Sequence, residues 1–330
     1  MLCNSVLKEN LRALVRGAYD VQKLRMQTSN RIASNWRDRA IASGEKPLEA
    51  SKLLPLLVKN YRTVTGGGIE NTKGFKLPTL KQFKPFGLIS SYTELVLIHQ
   101  LQKLVAAEKE HFALIEKILG DFPIFKNFLD KILGVGPAMA GVIISELDIY
   151  KAQYPSSFWA YAGLGVEKDG KGTSKRKEHL VKKAYTDKEG EVKEKDSITF
   201  NPWLKTKLVE VLASSFMKQV VYNKPKDKGG IIIGGGKYRL IYDNYRMRLQ
   251  HRVDLLEASD KHLQRMAMRY MIKRFLVDLY VAWKEQENLP VAREYAEEKL
   301  HIQHSKPWEM ELSPFGKYDY RGNILKTRNK

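Results

Sequence analysis

Residues 129–147, L-D-K-I-L-G-V-G-P-A-M-A-G-V-I-I-S-E-L, constrain this chain more than any other stretch. A short apolar segment runs into Gly134-Val135-Gly136-Pro137, and a second apolar segment starts at once. Two helices joined by so few residues must turn sharply, which is the helix-hairpin-helix pattern. Glycines at 134 and 136 allow a backbone with φ > 0 and close approach to a ligand. Pro137 suits the first turn of a helix, where a missing N–H costs nothing. The free amides of that turn favour an anion, and a nucleic-acid phosphate is the natural candidate. A plain helix corner in a core would use the same residues, so charge must help decide between the two.

The formal net charge is +20 on 330 residues, with a pI near 9.7. So large an excess calls for a polyanion, usually nucleic acid, with an anionic membrane surface as the competitor. No apolar run reaches the 18 or more residues that span a bilayer, so no membrane partner is expected. The start, M-L-C-N-S-V-L-K-E-N, reads as no signal peptide. Cys3 stands alone, which excludes a disulfide framework and a Cys-rich zinc site. The expectation is a soluble protein of a reducing, prokaryotic-type cytoplasm, associated with the nucleoid. A hydrophobic share of 43% can bury a sizeable core.

The fold class expected is mainly α. Residues 1–60 form a basic helical segment: Leu7, Leu11, Leu14, Val15, Ala18, Val21 and Leu24 make an apolar stripe, and a second helix is expected near 47–60. Gly66-Gly67-Gly68, Gly74, Pro78, Pro85 and Gly87 mark 61–91 as a Gly/Pro-rich linker. Within 92–121, Ile98, Leu101, Val105, Glu108, Phe112, Ile115 and Leu119 follow alternating spacings of three and four. This is a coiled-coil-like seam with one polar interruption, either open to a second copy of the chain or buried in its own fold. Residues 122–304 hold the hairpin, an aromatic-rich helix and turn at 158–164, and a polar loop with a β-hairpin around Asp187 to Gly190. A helix follows from Pro202 to Val221 with Asn201 as its N-cap. Further helices are expected at 237–257, 260–286 and from Pro290 to His301. The tail, 305–330, is basic and aromatic.

Two segments carry candidate chemistry. In 167–183, Lys171, Lys175, Arg176 and Lys177 surround Gly170, Gly172 and Ser174. A flexible loop with a hydroxyl among cations suits a phosphodiester: the cations neutralise nonbridging oxygens and Ser174 could attack phosphorus. The alternative is a loop that only grips backbone phosphates. In 260–275, Lys261, Arg265, Arg269 and Lys273 recur every four residues, with Arg274 beside them, opposite an apolar side of Leu263, Met266, Ala267, Tyr270, Met271, Phe275 and Leu276. That stripe is a DNA-binding face or a solvated surface. Arg239, Arg246, Arg248 and Arg252 extend the positive field. His251 and His262 are read as structural, and no metal is expected on this chain.

In order, the long helix, L-G-V-G-P-A-M-A-G-V-I-I-S-E-L, F-W-A-Y-A-G-L, N-P-W-L-K-T-K-L and R-M-A-M-R-Y-M-I-K resemble the C-terminal half of the insertion-sequence-110/116/902 family of transposases, relatives of the Piv DNA invertases. The resemblance covers about 92–285, and 14–32 looks like the helix by which that family leaves its first domain. It implies DNA transposition or site-specific recombination. A serine nucleophile would act with a RuvC-like half that holds a divalent metal such as Mg, and with a guide-type RNA. The chain departs from the pattern in several places. Val166 stands where the family has proline, and Asp169-Gly170 where it has Ser-Gly, which leaves Ser174 as the candidate nucleophile. Phe200-Asn201-Pro202-Trp203-Leu204-Lys205 corresponds to G-N-x-x-L-R after an insertion of about 20 residues. No strand-borne acid of the RuvC-like half is recognised, so the chain reads as a fragment or as a member without that half. Non-catalytic DNA binding and structural RNA binding are the alternatives.

Overall fold

A computed structural model describes residues 2–67, 76–166, 177–222 and 232–293. It is mainly helical and divides into two compact units, residues 1–118 and 119–330. None of the described helices is long and apolar enough to cross a membrane.

The first unit is built on three helices: α1 (Leu2–Ala42), α2 (Ala50–Thr65) and α3 (Tyr92–Leu119). Helices α1 and α3 run antiparallel, since Tyr19 meets Phe112 edge-on, Gln22 and Arg25 reach Glu108, and Arg39 reaches Glu94. The buried positions of α1 are Leu11, Val15, Ala18, Ser29, Ile32 and Trp36. Gln22 and Arg25 complete this series, which keeps a strict four-three spacing, the period of a coiled-coil seam. Leu24, expected in the apolar stripe, is 52% exposed. A 3.5-residue period puts the seam on Arg25, one residue away, where its charge meets Glu108. The seam of α3 is thus occupied by α1 of the same chain, with Ile98, Leu101 and Ile115 buried.

Helix α3 starts at a capping box. Ser91 Oγ accepts from the Glu94 N–H at 3.2 Å, and the Glu94 carboxylate accepts from the N–H groups of Ser90 (2.7 Å) and Ser91 (3.3 Å). The stretch expected to be a linker is anchored over 76–91. Asn60 Oδ1 accepts from the Leu88 N–H, Trp36 Nε1 and Arg39 donate to the Leu88 carbonyl, and Ile89 is fully buried. Glycine and proline abolish regular structure there without abolishing contact.

In the second unit, α4 (Pro123–Asn127) and a 3₁₀ turn (Leu129–Lys131) lead into α5 (Pro137–Glu146). The first arm of the hairpin is therefore one short helix and a 3₁₀ turn rather than a continuous helix. Next come α6 (Pro155–Tyr161) and a two-stranded antiparallel ribbon, β1 (Val181–Thr186) with β2 (Val192–Ser197). Asp187 organises the ribbon's turn, where its Oδ1 accepts from the N–H groups of Glu189 and Glu191 and Gly190 takes φ = 86°. Helix α7 (Pro202–Thr206) passes through a π-helical turn (Lys207–Leu212) into α8 (Ala213–Met217). This helix ends four residues before the expected Val221, which instead pairs in a short hairpin of β3 (Val220–Tyr222) and β4 (Ile232–Gly235).

Helix α9 (Lys237–Gln250) and the long α10 (Asp260–Gln286) close the unit. Ser259 caps α10, its Oγ accepting from the His262 N–H. The core gathers Phe216, Tyr238 and Phe275 in mutual ring contact, with Phe158 against Tyr280 and Trp283. Asn288, at φ = 53°, stops α10, and the Leu289 N–H returns to the Lys284 carbonyl. The helix expected from Pro290 is absent over 290–293, and its remainder lies outside the described residues.

Candidate nucleic-acid interface

Three motifs that lie far apart in sequence meet at one hub. Glu146, the last residue of α5, is buried, and its Oε2 accepts from Asn201 Nδ2 at 2.6 Å. The same amide nitrogen lies 3.3 Å from Tyr161 Oη, and the Asn201 N–H donates to the Tyr161 carbonyl at 2.8 Å. Asn201 Oδ1 also caps α7 by accepting from the Leu204 N–H at 3.0 Å. One asparagine therefore ties S-E-L, A-Y-A-G-L and F-N-P-W-L-K together. Gly163 completes the hub. Its φ is +65°, and a Cβ there would stand 2.3 Å from the Phe200 ring. Lys205 Nζ lies 5.0 Å from the centroid of that ring, and Lys207 Nζ lies 5.5 Å from that of Trp203.

The loop that carries the candidate nucleophile leaves the described residues after Val166, three positions beyond Gly163, and re-enters them at Lys177. Ser174, Lys171, Lys175 and Arg176 lie outside the described residues. Lys177 is exposed in a 3₁₀ turn (Lys177–His179) that leads into β1.

The two hairpin glycines play different parts from those expected. Gly134 has φ = 97°, but the space beside it is filled by protein. A Cβ there would lie 2.9 Å from Phe216 Cδ1, and Ser215 Oγ donates to the Gly134 carbonyl at 2.8 Å. The absence of a side chain at Gly134 is therefore required by packing against Phe216. Gly136, at φ = −92° and ψ = 171°, does not need the left-handed region. It is the N-cap of α5, has no side-chain cap and meets open space. Pro137 occupies the first turn as expected.

On α10, Lys261, Arg265 and Arg269 are exposed, while Leu263, Ala267, Met271, Phe275 and Leu276 are buried. A four-residue spacing advances about 40° past a full turn at each step, so the fourth member has rotated towards the core. Lys273 is half-buried, with Nζ 5.2 Å from the Trp159 ring centroid, and Trp159 Nε1 donates to the Lys273 carbonyl. Burial lowers the Lys273 pKa from its ordinary value, and the Arg269 guanidinium lowers it further. Arg274 is buried.

Among the described residues, Lys261, Arg265 and Arg269 have no carboxylate within ion-pair distance. Of the arginines expected to extend the field, Arg239 pairs with Asp243, Arg246 with Asp260 and Arg252 with Asp254, while exposed Arg248 lies over the Tyr245 ring and meets no acid among the described residues. His251 Nδ1 lies 2.8 Å from the Met247 carbonyl oxygen, a local contact within α9 and its cap.

A cavity of about 390 Å³ opens at the start of α9 between Phe128, Ile132, Tyr238, Val277 and Val281. Lys237, one of its two lysines, is held locally, because Lys237 Nζ and Tyr238 Oη both reach Asp278 Oδ2, at 2.6 and 2.9 Å. Among the described residues no three His, Cys, Asp or Glu side chains converge as metal ligands.

Comparison with known protein families and with curated proteins found no match. Sequence reasoning missed the hub, whose only signal was an Asn-Pro pair at a helix start. It also missed the Trp159–Lys273 stack, which joins residues 114 positions apart.

Proposed function

We propose that this chain binds duplex DNA and acts in a transposase-like strand exchange. The observation that carries the reading is the uncompensated stripe of Lys261, Arg265 and Arg269 on a helix whose opposite side is locked in the core. By contrast, Arg239, Arg246 and Arg252 each meet an acid. Unpaired cations held in a line on a rigid element cost self-repulsion, and a phosphate backbone relieves it.

The hub supports the finer part of the reading, since it brings residues of three resemblance motifs into hydrogen-bond contact with one another. In such an exchange Ser174 Oγ replaces one ester oxygen at phosphorus, and the displaced strand leaves with a free hydroxyl. The loop's lysines would neutralise the charge that develops on the nonbridging oxygens.

Filter binding to a DNA duplex between roughly 50 and 200 mM salt tests the binding. Five or more phosphate contacts predict at least a hundredfold loss of affinity over that range. Arg265→Gln/Arg269→Gln should reduce the slope of log K against log salt by about 1.8, two contacts at 0.9 each. A flat salt response in the unsubstituted protein refutes the reading. Ser174→Ala should abolish any covalent protein–DNA adduct formed in strand exchange and leave binding intact.

A further inference from the structure

The β1–β2 ribbon is exposed on both faces, so it rests on no core. An isolated two-stranded hairpin is marginally stable at best, and this one contains a feature that weakens it further. Its register places Lys183 opposite Lys195 and Tyr185 opposite Lys193. Opposed residues share a face. One face therefore carries Val181, Lys183, Tyr185, Lys193, Lys195 and Ser197, three lysines and no acid. The other carries Lys182, Ala184, Thr186, Val192, Glu194 and Asp196, one lysine and two acids.

Charges on the second face are balanced locally, with Lys182 Nζ 3.6 Å from Glu194. Lys193 is taken by the turn, where it pairs with Asp187 and with Glu191 at 3.3 Å. Among the described residues Lys183 and Lys195 have no acid partner, although they stand directly across from each other. Like charges so placed are destabilising in a sheet, and no acid among the described residues offsets that here. A ligand of opposite sign does.

We propose that the Lys183/Lys195 face of this ribbon docks in the major groove of duplex DNA, with the two lysines on phosphates and Tyr185 turned towards the groove. The proposal rests on the DNA-binding reading above and adds a second element to it. Charge complementarity selects a polyanion, and shape selects the duplex. A two-stranded ribbon fits the major groove of B-form DNA, about 12 Å wide, whereas the deep, narrow major groove of A-form RNA does not admit it. Six-residue strands span about 20 Å, roughly six base pairs at 3.4 Å each. Lys177, exposed just before β1, continues the positive charge at the ribbon's base.

The test uses the full chain, a DNA duplex of about 20 base pairs and an RNA duplex of the same sequence, with fluorescence anisotropy over a salt series. Lys183→Gln/Lys195→Gln should reduce the DNA salt slope by about 1.8 and weaken binding up to about thirtyfold at 0.15 M salt. Lys182→Gln, on the opposite face, should leave the slope unchanged. The double variant should fold normally, because the ribbon contributes nothing to the core and a repulsive pair has been removed; circular dichroism checks this. Dimethyl sulfate methylates guanine N7 in the major groove, so bound protein should protect N7 and the double variant should lose that protection.

A salt-dependent parent with an unchanged double variant overturns the ribbon's role and leaves the DNA-binding reading standing. A parent that binds no duplex overturns both. Unprotected N7 in a tight parent complex overturns the groove assignment. A loss confined to the RNA duplex overturns the choice of DNA.

Discussion

Glu108 and Arg25 provide the sharpest test of how the first unit is held together. Glu108 lies mid-seam on α3 with its side chain 13% exposed, and it accepts from Gln22 Nε2 at 2.8 Å and from Arg25 Nε. Arg25 is 29% exposed. Replacing Glu108 with leucine removes two hydrogen bonds, one of them between charged groups, and leaves a guanidinium facing apolar side chains. Breaking a fully buried pair costs about 3–5 kcal/mol. Partial access to water lowers that here, and the new leucine packs usefully, so a net loss of about 2 kcal/mol is expected. Arg25→Leu/Glu108→Leu restores a continuous apolar seam and should lie within about 1 kcal/mol of the parent. Native-state hydrogen exchange on the full chain reads this directly. The amides of α1 and of residues 92–118 should exchange about thirtyfold faster in Glu108→Leu and less than about fivefold faster in the double variant. If the double variant exchanges as fast as Glu108→Leu or faster, the pair is not coupled and the polar layer is not what joins these helices.

Gly163→Ala should be among the most damaging single-methyl additions in the second unit, because it meets both a φ of +65° and the Phe200 ring at 2.3 Å. A loss of about 2 kcal/mol or more is expected in urea unfolding, and a loss under about 0.5 kcal/mol would contradict the packing at the hub. Lys273→Met keeps the stem on Trp159 while removing a charge that burial disfavours; thermal stability should hold or rise by up to about 1 kcal/mol. The DNA salt slope of that variant should stay unchanged, because Lys273 has turned off the exposed stripe onto Trp159. His99 Nδ1 lies 2.7 Å from Tyr61 Oη, and burial, then Lys103, lowers its pKa from the ordinary 6.5. An unfolded chain thus takes up the proton first as pH falls, so this stabilisation is present above about pH 6.5 and is lost as pH drops through the lowered value. Melting curves from pH 7.5 to 5 should show the loss, and His99→Gln should flatten that part of the profile.

Much of the fold was legible because its signals are local. The four-three spacing of Ile98 to Leu119 marked the body of α3, Asn201-Pro202 marked the start of α7, and the helix expected over 260–286 has those ends. The φ of Gly134 was legible too, since a turn of that tightness leaves few other solutions. Other readings went astray where neighbours decide. Leu24 has the right character for a core, but the seam passes through Arg25 because Glu108 waits on the facing helix. Four-residue spacing correctly lined up Lys261, Arg265 and Arg269, and it could not show that precession would carry Lys273 onto Trp159. Gly136 looked like a strained position beside its neighbour and proved to be an ordinary N-cap.

By itself, then, the sequence determined the mainly helical class, the positions of most helices, the hairpin turn and the excess of positive charge, because each depends on residues within a turn or two of one another or on their sum. Only the tertiary structure decided which charges are paired and which are left over. Arg246 and Arg269 look alike in the sequence, yet one meets Asp260 and the other, among the described residues, meets no acid. The same holds for the ribbon: six alternating residues define two faces, and the register across the turn assigns Lys195 rather than Glu194 to face Lys183. Electrostatic balance is a property of distances between elements, and those distances exist only once the chain has folded.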